Sequence, residues 1–340
     1  MVLCIKIVGY FVFLVVFEVA GASITDELKS KAFSLYKNLA IGARRLKHNP
    51  GISEDQISFE LYQKEYPEDL IHIDIDDLEI FRGTKSKIVF LVHGYVSNSK
   101  TKQVGELKDT FLRLDDVSYV INVDWEKAAD QLYYISALNT YDVADIIAKF
   151  IINLYRNYEV DKNNILLVGH SLGGQICGFV GKIFKQNTLE LLPRIIALDP
   201  AGPLFSIRPA HERLNPNDAA IVEVIHTDGG VLGLSDSCGT IDFFVNGGKN
   251  QPGCKQIDLD DIIETATTPL ICDHIRAWDY FLEALLNPNG FIASKCLGTI
   301  YDRENCNGET VSMGDVNLTA EGNYYLETNR HKPFANNLSD

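Results

Sequence analysis

The amino-acid sequence predicts an α/β fold with a mainly parallel central sheet and helices on both faces. Three observations point there. Short apolar runs recur at residues 88–92, 119–123, 165–168, 195–198 and 221–225. From residue 58 onward these runs alternate with stretches of helical apolar period. Runs without polar alternation suit strands buried on both faces, the usual state of a parallel sheet. No linker rich in Pro, Gly or Ser divides the region, so residues 58–340 are read as one domain.

Composition sets the outer limits. The chain has 340 residues, 46% hydrophobic and 23% charged, the proportions of a soluble globular protein. Lys+Arg 31 against Asp+Glu 46 gives a formal charge of −15. Nucleic acid needs a clustered basic surface, so it is excluded as a partner. After residue 25 no uninterrupted apolar stretch is long enough to span a bilayer, which excludes a multi-pass membrane protein.

Residues 1–22 have the plan of a secretory signal peptide. Lys6 precedes an apolar run at 7–17, Glu18 interrupts it, and Ala20-Gly21-Ala22 supplies a small-residue cleavage site. The expected location is extracellular. Loss of Cys4 with this segment takes seven cysteines to an even six, as a disulfide framework requires. Residues 23–57 are read as an N-terminal helical segment and candidate propeptide. Leu28, Ala32, Leu35 and Leu39 fall at helical spacing, and Arg44-Arg45 is a candidate processing site. Asn317-Leu318-Thr319 and Asn337-Leu338-Ser339 are glycosylation sequons. Further on, 140–158 is helical by Val143, Ile146, Ile147, Phe150, Ile151 and Leu154.

The chemistry centres on Gly169-His170-Ser171-Leu172-Gly173. The apolar run 165–168 leads in and a helical pattern at 175–184 leads out. Strand, G-x-S-x-G turn and helix together make a nucleophile elbow. The turn is too tight for a Cβ at either glycine and projects the serine hydroxyl outward. The backbone N–H of Leu172, at a helix N-terminus, is then a candidate oxyanion donor. A second donor belongs to an earlier strand-end loop, and the N–H of Tyr95 after His93-Gly94 is the candidate; a plain tight turn is the alternative. The serine needs a base, and the base needs an orienting carboxylate. Asp199 ends the run 195–198 and Pro200 stops the strand just after it, which makes Asp199 the candidate acid. His211, His226, His274 and His331 all follow it, and spacing leaves the choice among them open.

Several ordered blocks resemble the pancreatic lipase family of the α/β-hydrolases. They include His93-Gly94-Tyr95, Asn122-Val123-Asp124-Trp125, Gly169 to Gly174, Leu198-Asp199-Pro200-Ala201-Gly202-Pro203 and Val224-Ile225-His226-Thr227-Asp228. Asp242 to Gly248, Gln251-Pro252-Gly253-Cys254 and Cys272-Asp273-His274-Ile275-Arg276-Ala277 continue the series. The resemblance implies an α/β-hydrolase fold, Ser171 as nucleophile, Asp199 as acid and His274 as base. It also implies Tyr95 and Leu172 as oxyanion donors, leaving His226 a structural residue.

By the same resemblance Cys254 and Cys272 close a lid loop and Cys296 and Cys306 form a second pair. Cys177 and Cys238 are then either a third bridge or buried thiols. The lid loop, 255–271, carries Leu259, Ile262, Ile263 and Leu270 among acids. Its shortness resembles the phospholipase A1 branch more than the long-lidded triacylglycerol lipases. The family's C-terminal β-sandwich is not expected here, nor the protein cofactor that engages it. The family's calcium loop is only partly matched, because Asn215 in Asn215-Pro216-Asn217-Asp218 stands where an aspartate is usual. Losing a carboxylate weakens a hard-cation site, so no metal or other cofactor is expected. The function expected is secreted hydrolysis of glycerolipid esters at a lipid surface, leaning to phospholipase A1. A neutral-glyceride lipase is the alternative, and a catalytically silent lipid-binding or storage protein the third reading.

Overall fold

The computed structural model describes residues 51–254 and 268–336. The signal peptide, most of the 23–57 segment, the greater part of the lid loop and the Asn337 sequon therefore lie outside the described residues.

An 11-stranded sheet has the order β10-β9-β11-β8-β7-β6-β5-β3-β4-β1-β2. Its middle is parallel: β4 (Val117–Asp124), β3 (Lys87–Val92), β5 (Ile165–His170), β6 (Arg194–Leu198), β7 (Ile221–His226), β8 (Ile241–Val245) and β11 (Gly322–Leu326). The margins are antiparallel. β1 (Ser58–Gln63) and β2 (Tyr66–Ile73) flank β4, while β9 (Ile292–Lys295) and β10 (Thr310–Ser312) flank β11.

The apolar runs are continuous because alternate side chains feed two separate cores. Ile88, Phe90 and Val92 enter one, with Ile165, Leu167, Ile195 and Ala197. Val89 and Leu91 enter the other, with Leu166, Val168, Ile196 and Leu198. Helices α3 (Tyr133–Asn157) and α4 (Leu172–Thr188) cover the first face through residues such as Ile147, Phe150, Ile176 and Val180. Helices α1 (Lys102–Arg113) and α5 (Thr268–Leu286) cover the second with Leu107, Phe111, Tyr280 and Phe281. A short helix α2 (Glu126–Ala129) follows β4. Among the described residues no helix is long and apolar enough to cross a membrane.

Helix α3 begins two turns before the periodicity suggests. Its first buried face is polar: Ser136 and Asn139 donate to the carbonyls of Ala129 and Ala128 (3.0 and 3.2 Å), and Thr140 donates to Ala137. Those bonds satisfy polar groups that water cannot reach. Cys254–Cys272 and Cys296–Cys306 are disulfides, whereas Cys177 and Cys238 are buried free thiols, so there is no third bridge among the described residues. Cys177 sits in the core on α4, and its hydrophobic surroundings favour an unpaired thiol.

Candidate active site

The site lies at the carboxyl ends of the parallel strands, where loops converge above a rigid sheet. Ser171 links β5 to α4 and is the helix N-cap, with φ 56° and ψ −120°. Such a conformation costs a non-glycine residue roughly 1–3 kcal/mol and persists only where the surroundings enforce it. They do so here. A Cβ on Gly169 would lie 2.3 Å from the Gly173 carbonyl oxygen, and one on Gly173 would lie 2.1 Å from that of Val92. The Ser171 N–H donates to Leu198 O (3.0 Å), and its carbonyl accepts from Ala201 and Gly174 (3.0 and 3.1 Å). The elbow is thereby tied to the end of β6.

Asp199 is the first residue after β6, fully buried, with φ 41°. Its N–H donates to Ile225 O. Oδ1 accepts the backbone N–H groups of Thr227 and Asp228 at 2.9 and 3.1 Å. Oδ2 faces Nδ1 of His274 at 2.6 Å. Gly233 passes directly over this carboxylate, since a Cβ there would lie 2.4 Å from Oδ1. His274 is on α5 and is buried. Nε2–H of His170 donates to the His274 carbonyl at 3.1 Å, with the two rings 4.5 Å apart. Burial, then the proximity of His274, holds the His170 pKa well below its usual value, so this ring is a neutral donor.

The other histidines lie elsewhere. His211 and His331 are exposed. His226 is buried at the end of β7, with Nε2 2.8 Å from Asp242 Oδ1 and Nδ1 donating to Leu234 O. Burial disfavours its charged form, but the hydrogen bond and charge of Asp242 outweigh it and raise the pKa. Cys238 stands beside that pair as a thiol whose pKa burial pushes far up. Both ring nitrogens are already engaged, so this trio does not suit a metal.

Tyr95 and Leu172 flank the serine. Leu172 opens α4. Gly94, before Tyr95, abuts Ser171 closely: a Cβ on Gly94 would lie 2.9 Å from that of Ser171. The Tyr95 side chain points away, its hydroxyl donating to Gln131 O.

One carboxyl beside the site carried no sequence-based role. Asp228 lies close enough to Asp199 and His274 that one polar atom from each fits within 4.8 Å. Burial first, then the charges of Asp199 and Asp273, push its pKa up to about 8. It therefore holds its proton far more readily than a solvated aspartate. It is the second residue after β7, whereas Asp199 is the first after β6, and no strand-end pattern singles it out.

The partly matched calcium loop is filled by the chain itself. Lys182 Nζ lies 2.5 Å from Asp218 Oδ2 and 2.7 Å from Arg213 O. The Asn215 amide donates to Asp218 Oδ1 and Ala210 O, both at 2.9 Å. These N–H donors occupy the oxygens a divalent cation would need, so the residues present do not fit one.

The sequence model named Lipase matches residues 34–334. A Phospholipase A1 2 from Dolichovespula maculata is 37% identical over 246 residues, 68% of this chain and 77% of that one. A pancreatic triacylglycerol lipase from Myocastor coypus is 32% identical over 265 residues, 73% of this chain and 57% of that one. An inactive pancreatic lipase-related protein 1 from Canis lupus familiaris is 33% identical over 225 residues, 63% of this chain and 47% of that one. The chain thus spans about half to three quarters of the length of these relatives.

Proposed function

The chain belongs to the Lipase family, and on that premise we propose that it is a serine hydrolase releasing fatty acid from glycerolipids, with the sn-1 ester of a phospholipid as the preferred bond. Because one relative is named inactive, membership alone does not decide activity. The observation that carries the reading is the 2.6 Å contact of His274 with Asp199 beside a strained, glycine-flanked Ser171.

In this reading the Asp199 carboxylate, held by two backbone N–H groups, fixes the His274 tautomer with the proton on Nδ1. Nε2 then takes the Ser171 hydroxyl proton as Oγ attacks the ester carbonyl. The N–H groups of Tyr95 and Leu172 bind the oxyanion. Collapse of the tetrahedral intermediate expels the lysolipid oxygen, which takes the proton from His274. Water, deprotonated by His274, then releases the fatty acid and restores Ser171.

The phospholipase preference rests on the wasp relative, of which this chain covers the largest share among the three, and on the short Cys254–Cys272 loop. The triacylglycerol lipase relative supports the alternative of neutral glycerides. Two disulfides and the leader pattern support secretion. Phosphatidylcholine carrying distinguishable sn-1 and sn-2 chains, assayed beside trioleoylglycerol, tests the reading. Release of the sn-1 acid with lysophospholipid is expected. Release from trioleoylglycerol alone would favour the alternative, and no release from either by folded protein would favour a silent lipid-binding protein.

A further inference from the structure

His93 is the first residue after β3 and is 1% exposed. Its partners define its tautomer. Nδ1 lies 3.0 Å from its neighbour's carbonyl, Gly94 O, which can only accept, so Nδ1 carries a proton. Nε2 lies 3.1 Å from the backbone nitrogen of Trp125, whose N–H can only donate, so Nε2 presents its lone pair there. Asp124 Oδ1 is farther from Nε2, at 3.3 Å, and takes the Glu126 N–H at 2.9 Å. The His93 ring is stacked on Trp125 at 5.4 Å and 14°, and the Trp125 indole N–H donates back to His93 O at 2.9 Å. Trp125, directly after β4, thus holds this ring at one face and at Nε2.

This hold meets a specific need at Gly94. Contact with Ser171 and His170 leaves no room there for a Cβ. Glycine solves the steric problem but leaves the following peptide free to rotate. A planar trans peptide holds its C=O and N–H on opposite sides. With the Gly94 carbonyl turned to the His93 ring, the Tyr95 N–H faces the other way. A flipped peptide would instead present a carbonyl oxygen to a developing negative charge.

We propose that His93 is a positioning residue for the oxyanion site: its Nδ1–H holds the Gly94 carbonyl and so keeps the Tyr95 N–H turned towards Ser171. This rests on the reading of Ser171 as nucleophile, and it assigns His93 a role through Gly94 and Tyr95 rather than through the substrate.

The test compares His93→Phe with His93→Asn on a soluble short-chain ester, with Ser171→Ala as control. Phenylalanine keeps the ring stack and loses both the Nδ1 donor and the Nε2 acceptor for Trp125; asparagine also lacks that acceptor, but its amide nitrogen falls near the place of Nδ1 and keeps the donor. Readouts are kcat, KM, the rate of inactivation by a soluble organophosphonate and the melting temperature. His93→Phe should lose about a hundredfold in both kcat and inactivation rate, the usual cost of one oxyanion donor, with KM little changed. His93→Asn should recover at least about tenfold of each. A folded His93→Phe with wild-type kcat would overturn the proposal, and so would equal losses in both variants that follow their melting temperatures. If His93→Phe does not fold, a folded His93→Asn within about tenfold of wild type supports it, and one as slow as a donor-less site overturns it. Unimpaired turnover by Ser171→Ala would instead sink the hydrolase reading itself.

Discussion

Nδ1 of His274 and Oδ2 of Asp199 meet at 2.6 Å across a separation of 75 residues, although neither side chain faces open solvent. Asp199 also takes two backbone N–H groups from the turn after β7. The carboxylate is thus oriented by its own strand end and by the next strand's loop before the imidazole arrives.

Asp199→Asn should therefore keep the fold and lose the chemistry. An amide can accept from Thr227 and Asp228 but directs the wrong proton arrangement at His274. A fall in kcat of roughly 10⁴-fold is expected, from the cost of a wrong tautomer in such triads. Circular dichroism and a melting curve beside steady-state kinetics check it; near-normal turnover would remove Asp199 from the site.

His274→Ala and His226→Ala should fail in opposite ways. His274→Ala loses turnover by orders of magnitude with a near-normal melting temperature. His226→Ala removes one partner of the buried Asp242 carboxylate, which keeps the Cys238 and Gly239 N–H groups, so it should lower the melting temperature, and its activity should follow the folded fraction. Thermal melts and turnover normalised to folded protein separate the two.

Much of the site was legible in the sequence, and the limits were physical. The elbow announced itself because its geometry forbids a Cβ at Gly169 and Gly173, which leaves glycines at fixed spacing. Asp199 was legible from the proline that ends its strand. His274 was not singled out by spacing, because four histidines follow Asp199 and only the docking of α5 decides which meets the carboxylate. The parallel strands were plain as apolar runs, while the marginal strands β9 and β10 are short and half-exposed and carry no such pattern. The first turns of α3 hid behind buried Ser136, Asn139 and Thr140. The roles of Asp228 and Lys182 come from partners distant in sequence, such as Asp199 and Asp218, and no local pattern encodes them.

Stability should depend on pH through Asp228. Its folded pKa of about 8 lies above the unfolded value near 3.9, so the folded state retains a proton that the unfolded chain gives up. The contribution is fully present below about pH 4 and is lost as pH rises towards 8. Asp228→Asn mimics the neutral carboxyl. Its melting temperature relative to wild type should rise from pH 5 to pH 8, as scanning calorimetry can measure. A constant difference would mean that Asp228 is already ionised across this range.

Lys182 should make the loop around Asp218 indifferent to divalent cations. Neither a chelator nor millimolar calcium should move the wild-type melting temperature. Lys182→Ala leaves the 2.5 Å partner carboxylate buried without its cation and should destabilise by about 3–5 kcal/mol. Calcium should restore part of that loss in this variant alone. A calcium-raised melting temperature in the wild type would contradict the assignment.

The central claim is that Ser171 is an activated nucleophile for lipid esters. Intact-mass analysis after reaction with a long-chain alkyl phosphonate tests it most directly. One adduct per chain is expected, mapped to the peptide containing Ser171, absent in Ser171→Ala, slowed by orders of magnitude in His274→Ala, and matched by loss of fatty-acid release. A folded protein that takes no label, or takes it on another residue while lipid hydrolysis continues, would contradict the claim.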